Sequence, residues 1–145
     1  MHLAWRMLPH MASVAASPSK TRVLLIDDNQ MIRTLIRRRV AELNPTWEIY
    51  EVQNGSEALA QAVALKPDIA LLDLSLPDML GESVARGIRQ VSPITKIVLC
   101  SLTDESILLK VVERIGADAF ISKTASNEEF HATLTALIPT RPNSL

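Results

Sequence analysis

The sequence predicts a single domain of the α/β class, in which five parallel strands alternate with five helices in a doubly wound sheet. The chain has 145 residues, of which 48% are hydrophobic and 21% charged, and these values suit one globular domain with its own core. Short apolar runs, typical of strands buried on both faces, alternate with segments whose apolar residues recur every three or four positions. Because each parallel crossover lays a helix over the sheet, this alternation favours helices on both faces.

The elements of the first half are bounded by prolines and by helix-capping residues. Asn44-Pro45 and Pro67 each end a helix, because the residue before a proline avoids the helical conformation. Asn54 and Glu57 have the spacing of a capping box, in which the first side chain accepts a hydrogen bond from the backbone of the second. The elements predicted here are the strand Val23–Ile26, the helix Gln30–Leu43, a short strand from Trp47 to Val52, the helix from Asn54 to Leu65, and the strand Ile69–Leu72.

The second half repeats the pattern with its own capping signals. Thr103 or Asp104 suits the start of the fourth helix, and Gly116 suits the position just after its end, where a positive φ is common. Ser126 and Glu129 form a second capping box. The elements predicted here are the loop Leu74–Gly81, a helix around Glu82–Gln90, the strand Thr95–Cys100, a helix through Ile107 to Ile115, the strand Ala119–Ser122, and a helix lined by Phe130, Leu134, Leu137 and Ile138.

Charge and cysteine content argue against several functions. The 15 Lys and Arg against 16 Asp and Glu give a net charge of −1, which disfavours a broad basic surface for nucleic acid. The single cysteine, Cys100, cannot form an internal disulfide or a thiolate metal cage, so we expect a cytoplasmic protein. No apolar run approaches the roughly 18 residues of a membrane span. Residues 1–20 are predicted to be a disordered extension, and 139–145 a C-terminal tail.

Polar side chains stand where four of the predicted strands end. Asp27 and Asp28 follow the first strand, Asp73 the third, Ser101 the fourth and Lys123 the fifth. Ligands of such sheets bind beyond the carboxyl ends of the strands, so these groups should converge. Three carboxylates repel one another unless a cation joins them, and an all-oxygen set suits Mg²⁺. With a lysine and a hydroxyl beside them, they could accept a phosphoryl group, with Asp73 on the central strand as the nucleophile.

Each of these residues also has a purely structural interpretation. Asp27 and Asp28 could be acids in the first turn of a helix, where the helix dipole favours them. Lys123 taken alone is usually a solvated charge, Ser101 could simply end its strand, and Phe120 is usually a core residue. A buried Cys100 is a core residue rather than a nucleophile, and the run Arg37-Arg38-Arg39 is more often a solvated helix face than an interaction patch.

Taken in this order on these elements, the motifs resemble one known family. They are Leu24-Leu25-Ile26-Asp27-Asp28, then Leu71-Leu72-Asp73 with Leu76-Pro77 and Gly81, then Ser101, then Lys123. The chain resembles the receiver domain of two-component response regulators over about Thr21 to Leu137. The resemblance implies a CheY-like, flavodoxin-like fold with strand order 2-1-3-4-5 and a receiver domain at residues 21–138. After Lys123 the sequence is similar to receivers of LuxR-type transcription regulators.

The resemblance implies a role for each matching residue. Asp73 would receive a phosphoryl group from a phosphohistidine on a sensor histidine kinase or phosphotransfer protein. Asp28, Asp73 and the backbone carbonyl of Ser75 would bind Mg²⁺ directly, and Asp27 would act mainly through a metal-bound water. Lys123 would pair with Asp73 and then with the phosphoryl group.

The resemblance also implies a conformational switch and two positions that tune it. Ser101 would bond a phosphoryl oxygen, and Phe120 would rotate inward behind it. The face of the fourth helix, fifth strand and fifth helix (α4-β5-α5) would then bind a downstream protein or a second copy of the chain. Ser75 and Thr103 occupy the positions, two beyond Asp73 and Ser101, that tune phosphate lifetime in the family.

Two alternative functions stay open at this point, together with one structural question. The chain is expected to be a signalling module and not an enzyme, with no direct contact to nucleic acid or membrane. It could instead be the receiver of a DNA-binding regulator whose helix-turn-helix domain is absent here. A remote alternative is a Mg²⁺-dependent aspartyl-phosphate phosphohydrolase, although Asp73-Leu74-Ser75 lacks the second acid of that class. Thr124 stands where many receivers have proline, which leaves the last loop's geometry open.

Overall fold

Residues 20–102 and 105–138 are described by a computed structural model, and they alternate between strands and helices as predicted. Every described boundary lies within about two residues of its predicted position. The elements are β1 (Arg22–Ile26), α1 (Gln30–Leu43), β2 (Glu48–Val52), α2 (Gly55–Leu65), β3 (Ile69–Asp73), α3 (Gly81–Val91), β4 (Lys96–Ser101), α4 (Glu105–Ile115), β5 (Ala119–Ser122) and α5 (Asn127–Leu137).

The strands form one parallel sheet in the order β2-β1-β3-β4-β5, which confirms the predicted class and strand order. In its register, Ile26 of β1 pairs with Leu72 of β3, and Asp73 pairs with Cys100 of β4. The carboxyl ends of β1, β3 and β4 therefore lie side by side at one edge of the sheet.

Apolar layers cover both faces of the sheet. Alternate residues along β1, β3 and β4 face opposite layers because successive side chains of a strand point to opposite sides. The layer shared with α1 and α5 contains Val23, Leu25, Val40, Ile69, Leu71, Val98, Phe130 and Leu134. The layer shared with α2 and α3 contains Leu24, Ile26, Ala58, Ala62, Leu72, Val84, Ile88 and Leu99. The two layers fix the sheet rigidly beneath the polar residues at its edge.

The helix ends agree in part with the capping signals of the sequence. The Asn54 side chain accepts a hydrogen bond from Glu57 N at 2.8 Å, and Ser126 Oγ accepts one from Glu129 N at 3.1 Å. At the start of α2, the Asn54 side-chain amide also donates to Glu57 Oε2 at 2.8 Å. Gly116 ends α4 with a φ of +76°, as its position predicts.

Several predictions fall on residues outside the described part of the chain. They concern the extension at residues 1–19, the tail at 139–145, and Thr103 or Asp104 as the cap of α4. Among the described residues, no helix has both the length and the apolar character that a bilayer span requires.

Candidate functional site

An ion-paired cluster of three residues lies at the carboxyl edge of the sheet. Lys123 Nζ is 2.8 Å from Asp27 Oδ2 and 3.3 Å from Asp73 Oδ2. The side chains are nearly buried, with exposed fractions of 10% for Lys123, 2% for Asp27 and 8% for Asp73. The sheet thus brings together residues 27, 73 and 123, as their strand-end positions predict.

The backbone after β1 fixes Asp27 tightly. Its N–H donates to Val52 O at 3.2 Å and so extends the β1–β2 ladder beyond the strand. Its Oδ1 accepts from Asn29 N at 2.9 Å, and its carbonyl accepts from Arg33 Nη1 at 2.6 Å. The N-cap of α1 is Asn29, whose side chain accepts from Ile32 N at 3.0 Å. The alternative in which Asp27 or Asp28 caps this helix is therefore wrong.

Asp73 is the last residue of the fully buried strand β3. Its Oδ1 accepts from Ser75 N at 3.1 Å. Burial raises the pKa of the Asp73 carboxyl, and this effect exceeds the opposing stabilisation of the carboxylate by Ser75 N–H and Lys123. The nearby charge of Asp27 raises the Asp73 pKa further. The charged form of Asp73 is therefore under-compensated by the protein alone, and an added cation would stabilise it.

Lys123 is the positive charge of this cluster. Burial acts to lower the pKa of its ammonium, but the interactions with Asp27 and Asp73 outweigh burial and leave the Lys123 pKa raised. The Lys123 N–H donates to Ser101 O at 2.9 Å, which ties its backbone to the end of β4. Lys123 is thus a permanently charged group at neutral pH.

A third carboxylate completes an oxygen cluster that fits a divalent cation. Asp27, Asp28 and Asp73 each present an oxygen, and these atoms lie within 4.8 Å of one another. Asp28 is exposed. Asp27 Oδ2 is buried and, apart from its ion pair with Lys123, receives no hydrogen bond from the described part of the chain. Hard carboxylate oxygens around an open position are the donor set that Mg²⁺ prefers.

The other predicted site residues lie on β4, on β5 and in the loop after β3, apart from Thr103. Ser101 is buried at the end of β4, with 6% of its surface exposed, and pairs in register with Ser122 of β5. Phe120 is half-buried against the layer shared with α2 and α3. Ser75 is exposed in the loop after β3. Thr103, predicted as a rate-tuning residue, lies outside the described residues.

Sequence reasoning missed the part that Asp78 plays in fixing the loop after β3. Asp78 Oδ1 accepts from Gly55 N at 2.8 Å, and Oδ2 accepts from Ser56 N at 3.0 Å. These bonds cap the start of α2 and lower the pKa of the Asp78 carboxyl. The contact spans more than 20 residues of sequence, so no local pattern could reveal it. It joins the loop that carries Ser75 to a helix of the core.

The loop after Lys123 is held by hydrogen bonds between Thr124 and Ser122. No cis peptide bond occurs within the described ranges. Thr124 N donates to Ser122 Oγ at 3.2 Å, and the two hydroxyls lie 2.8 Å apart. The Lys123 ammonium still reaches both carboxylates, which answers the question that Thr124 raises.

Cys100 occupies a core position beside this edge. It is buried, and burial raises the pKa of its thiol to about 12. The thiolate, which is the nucleophilic form, is therefore almost absent at neutral pH. This agrees with its interpretation as a core residue.

Comparison with known proteins identifies clear relatives. Residues 23–135 match the family model of the response regulator receiver domain. The chain is 36% identical over 121 residues to the transcriptional regulatory protein KdpE of Mycobacterium tuberculosis, covering 81% of this chain and 51% of that protein. It is 36% identical over 111 residues to protein-glutamate methylesterase/protein-glutamine glutaminase 2 of Cereibacter sphaeroides, covering 74% of this chain and 30% of that protein. The chain thus spans about half the length of these curated relatives or less.

Solved structures share the fold. A LuxR-family two-component response regulator from Aurantimonas sp. SI85-9A1 superimposes with a TM-score of 0.73 at 27% identity, covering 82% of this chain and 85% of that chain. The receiver domain of sensor histidine kinase PA1611 from Pseudomonas aeruginosa PAO1, solved with magnesium in its active site cleft, superimposes with a TM-score of 0.74 at 22% identity, covering 84% of this chain and 100% of that chain.

Proposed function

This chain belongs to the response regulator receiver domain family of two-component systems, and on that premise we propose that Asp73 accepts a phosphoryl group from a phosphohistidine. The observation that carries the proposal is the cluster in which Lys123 Nζ contacts both Asp27 and Asp73 beside a third carboxylate, Asp28. The family match spans nearly all of the described residues, and the role of each residue below is proposed.

The reaction we propose is a transfer from a nitrogen of the donor histidine to a carboxylate oxygen of Asp73. The oxygen attacks phosphorus as the N–P bond breaks, and the departing imidazole takes up a proton. Lys123 neutralises the oxygens of the transferring group, and the hydroxyl of Ser101 donates a hydrogen bond to one of them. The Ser75 N–H holds Asp73 in orientation through its bond to Oδ1.

Mg²⁺ is the cofactor we propose for the carboxylate cluster. Asp28, Asp73 and the Ser75 carbonyl would bind it directly, and Asp27 would act through a bound water. When bound, the ion would neutralise charge on the phosphoryl oxygens. The magnesium in the cleft of the PA1611 receiver supports this assignment by analogy of fold. The raised pKa of Asp73, caused first by burial, also favours an added cation.

The output we propose is a change at the face formed by α4, β5 and α5. Ser101 lies at the end of β4, and its movement toward a phosphoryl oxygen would draw the following loop inward. Phe120 on β5, which is half-buried, would turn further inward behind it. Ile107 and Leu109 of α4 are 55% and 50% exposed, and they give this face apolar side chains for a protein partner or a second copy of the chain. Ser75 and Thr103 would set the lifetime of the phosphorylated state.

The similarity to KdpE favours a second proposal, which concerns the whole protein. KdpE is named a transcriptional regulatory protein, and this chain spans 51% of its length. We therefore also propose that the domain controls a DNA-binding output encoded with it. Reading the genomic frame beyond codon 145 tests this, since an in-frame helix-turn-helix domain would support it and an immediate stop codon would contradict it.

Beryllofluoride binding tests the phosphoacceptor assignment. With Mg²⁺, the wild-type chain should show shifted NMR resonances for the residues around Asp73 and across the α4-β5-α5 face. Asp73→Asn should show no such shifts. Equal responses of the two proteins would refute the assignment.

A further inference from the structure

The loop between β5 and α5 carries Lys123, the cation of the site. The backbone hydrogen bonds of its first residues join it to the ends of β4 and β5. Lys123 N–H donates to Ser101 O at 2.9 Å, and Ala125 N–H donates to Ser122 O at 2.9 Å. Thr124 is exposed, and its hydroxyl bonds that of Ser122. All these contacts are to the ends of β4 and β5, so none of them joins the loop to α1.

Arg39 joins α1 to this loop. Its Nη2 donates to the carbonyl oxygen of Ala125 at 2.6 Å, a contact between residues 86 positions apart. Its guanidinium carbon lies 5.4 Å from the centroid of the Phe130 ring, which is 1% exposed. A planar guanidinium can donate to a carbonyl and stack on an aromatic ring at once, which a lysine ammonium does less well.

The surroundings of Arg39 connect it to Lys123. The Arg39 carbonyl lies 3.2 Å from His131 Nε2, so the backbone of α1 is also joined to α5 here. One groove of about 330 Å³ is lined by Lys123 and by both Arg38 and Arg39, together with Ile36 and Asn127. The two arginines share this groove, and the hydrogen bond to the Ala125 carbonyl distinguishes Arg39 from Arg38.

We propose that Arg39 is a positioning residue for Lys123, holding through Ala125 the loop from which the ammonium reaches the two carboxylates. This inference rests on the proposed function, in which Lys123 neutralises the transferring phosphoryl group. Ala125 is two residues from Lys123 in a short loop, so a displacement of its carbonyl moves the Lys123 backbone. The proposal gives a role to one arginine of the Arg37-Arg38-Arg39 run, which the sequence predicts to be a solvated helix face.

The test compares Arg39→Met with Arg38→Met in the full chain. Arg38 is the matched control, because it is the adjacent arginine of α1 and lines the same groove. It is exposed, and its side chain makes no hydrogen bond or ion pair to any other described residue. Two quantities are measured: hydrogen exchange of the Lys123 and Ala125 amides by NMR, and the initial rate of phosphorylation by acetyl phosphate with Mg²⁺. We expect Arg39→Met to accelerate exchange at both amides and to slow phosphorylation by about tenfold, since a misplacement of about 1 Å can cost up to about 100-fold. Arg38→Met should leave both quantities within about twofold of wild type.

A double mutant separates positioning from a general loss of stability. In a Lys123→Ala background, Arg39→Met should slow phosphorylation no further, because the group that it positions is gone. If Arg39→Met does not fold, Arg39→Gln, whose shorter side chain lacks the guanidinium, should show the same changes to a smaller extent.

Three results would overturn the proposal: unchanged exchange at Lys123 and Ala125, equal effects of the two arginine variants, or equal slowing with and without Lys123. Failure of the wild-type chain to take up phosphate would contradict the proposed function instead. The exchange measurement would still decide whether Arg39 fixes the loop.

Discussion

Replacement of Asp28 by Asn should stabilise the protein without metal and remove its stabilisation by Mg²⁺. Asp28 is exposed, and it makes no hydrogen bond or ion pair to another described residue. Its carboxylate nevertheless lies within 4.8 Å of an oxygen of both Asp27 and Asp73. In the absence of a metal ion, Asp28 therefore contributes repulsion that no contact of its own side chain offsets.

The size of the effect follows from this distance. Two like charges 4.8 Å apart repel by about 0.9 kcal/mol at a dielectric constant of about 80 and by about 3.5 kcal/mol at about 20. Exposure of Asp28 places its interactions near the lower value, so two neighbours give about 2 kcal/mol, part of which the Lys123 cation offsets. The net gain in the free energy of unfolding for Asp28→Asn should be about 1 kcal/mol, or roughly 4 °C in Tm.

Mg²⁺ should stabilise the wild-type chain more than the variant and so offset the difference between them. An ion that binds only the folded state stabilises it by about 1.4 kcal/mol at ten times its dissociation constant. Asp28→Asn removes a ligand of the proposed Mg²⁺ site, so most of this gain should be lost. The variant should therefore be the more stable protein in EDTA and the less responsive one in Mg²⁺.

Urea unfolding followed by circular dichroism at neutral pH measures both effects. Glu42→Gln is the matched control, because Glu42 is an exposed acid of α1 with no ion pair among the described residues. It should change neither quantity by more than about 0.5 kcal/mol. A lower stability of Asp28→Asn in EDTA, or equal stabilisation of variant and wild type by Mg²⁺, would refute the reasoning.

Three further predictions concern residues at or near the site. The folded-state pKa of Lys123 is raised above its ordinary value of 10.5, so its ion pairs should stabilise the fold below that pH and be lost as the pH rises through the raised pKa. Lys123→Met should lack this alkaline loss of stability in urea unfolding. An identical decline in both proteins would contradict the prediction. Cys100, with its thiol pKa raised to about 12 by burial, should react with a thiol reagent only after unfolding, so stoichiometric labelling of the folded protein would be the adverse result. A Cβ at Gly81 would lie 2.7 Å from Leu74 Cα in the loop after β3. Because backbone atoms cannot move aside at low cost, Gly81→Ala should lower the free energy of unfolding in urea by about 1–3 kcal/mol. Ser83→Ala on the same helix should stay close to wild type.

The sheet and its polar edge could be predicted because their signals are local. A short run of β-branched and leucine residues such as Val23–Ile26 favours a buried strand, and the acid at its end marks the carboxyl edge. Parallel topology then brings residues 27, 73 and 123 together without any knowledge of their contacts. The ion pairs of Lys123 with Asp27 and Asp73 confirm that step.

Sequence could not distinguish residues whose roles depend on tertiary approach. Asp27 and Asp28 are adjacent acids, yet Asp27 is buried and Asp28 exposed, because the backbone leaves the sheet between them. Asp78 caps α2 from a different loop, although α2 already has its local cap in Asn54. Arg39 looks like its two neighbours in an arginine run, and only the position of α5 sets it over Phe130.

Chemical trapping of the phosphorylated residue tests the central claim most directly. Borohydride reduces an aspartyl phosphate to homoserine, which peptide mapping by mass spectrometry locates in the sequence. After incubation with acetyl phosphate, we predict homoserine at position 73 in a Mg²⁺-dependent yield, and none in Asp73→Asn. Homoserine at another aspartate, or none at position 73 of a folded protein supplied with Mg²⁺, would contradict the account.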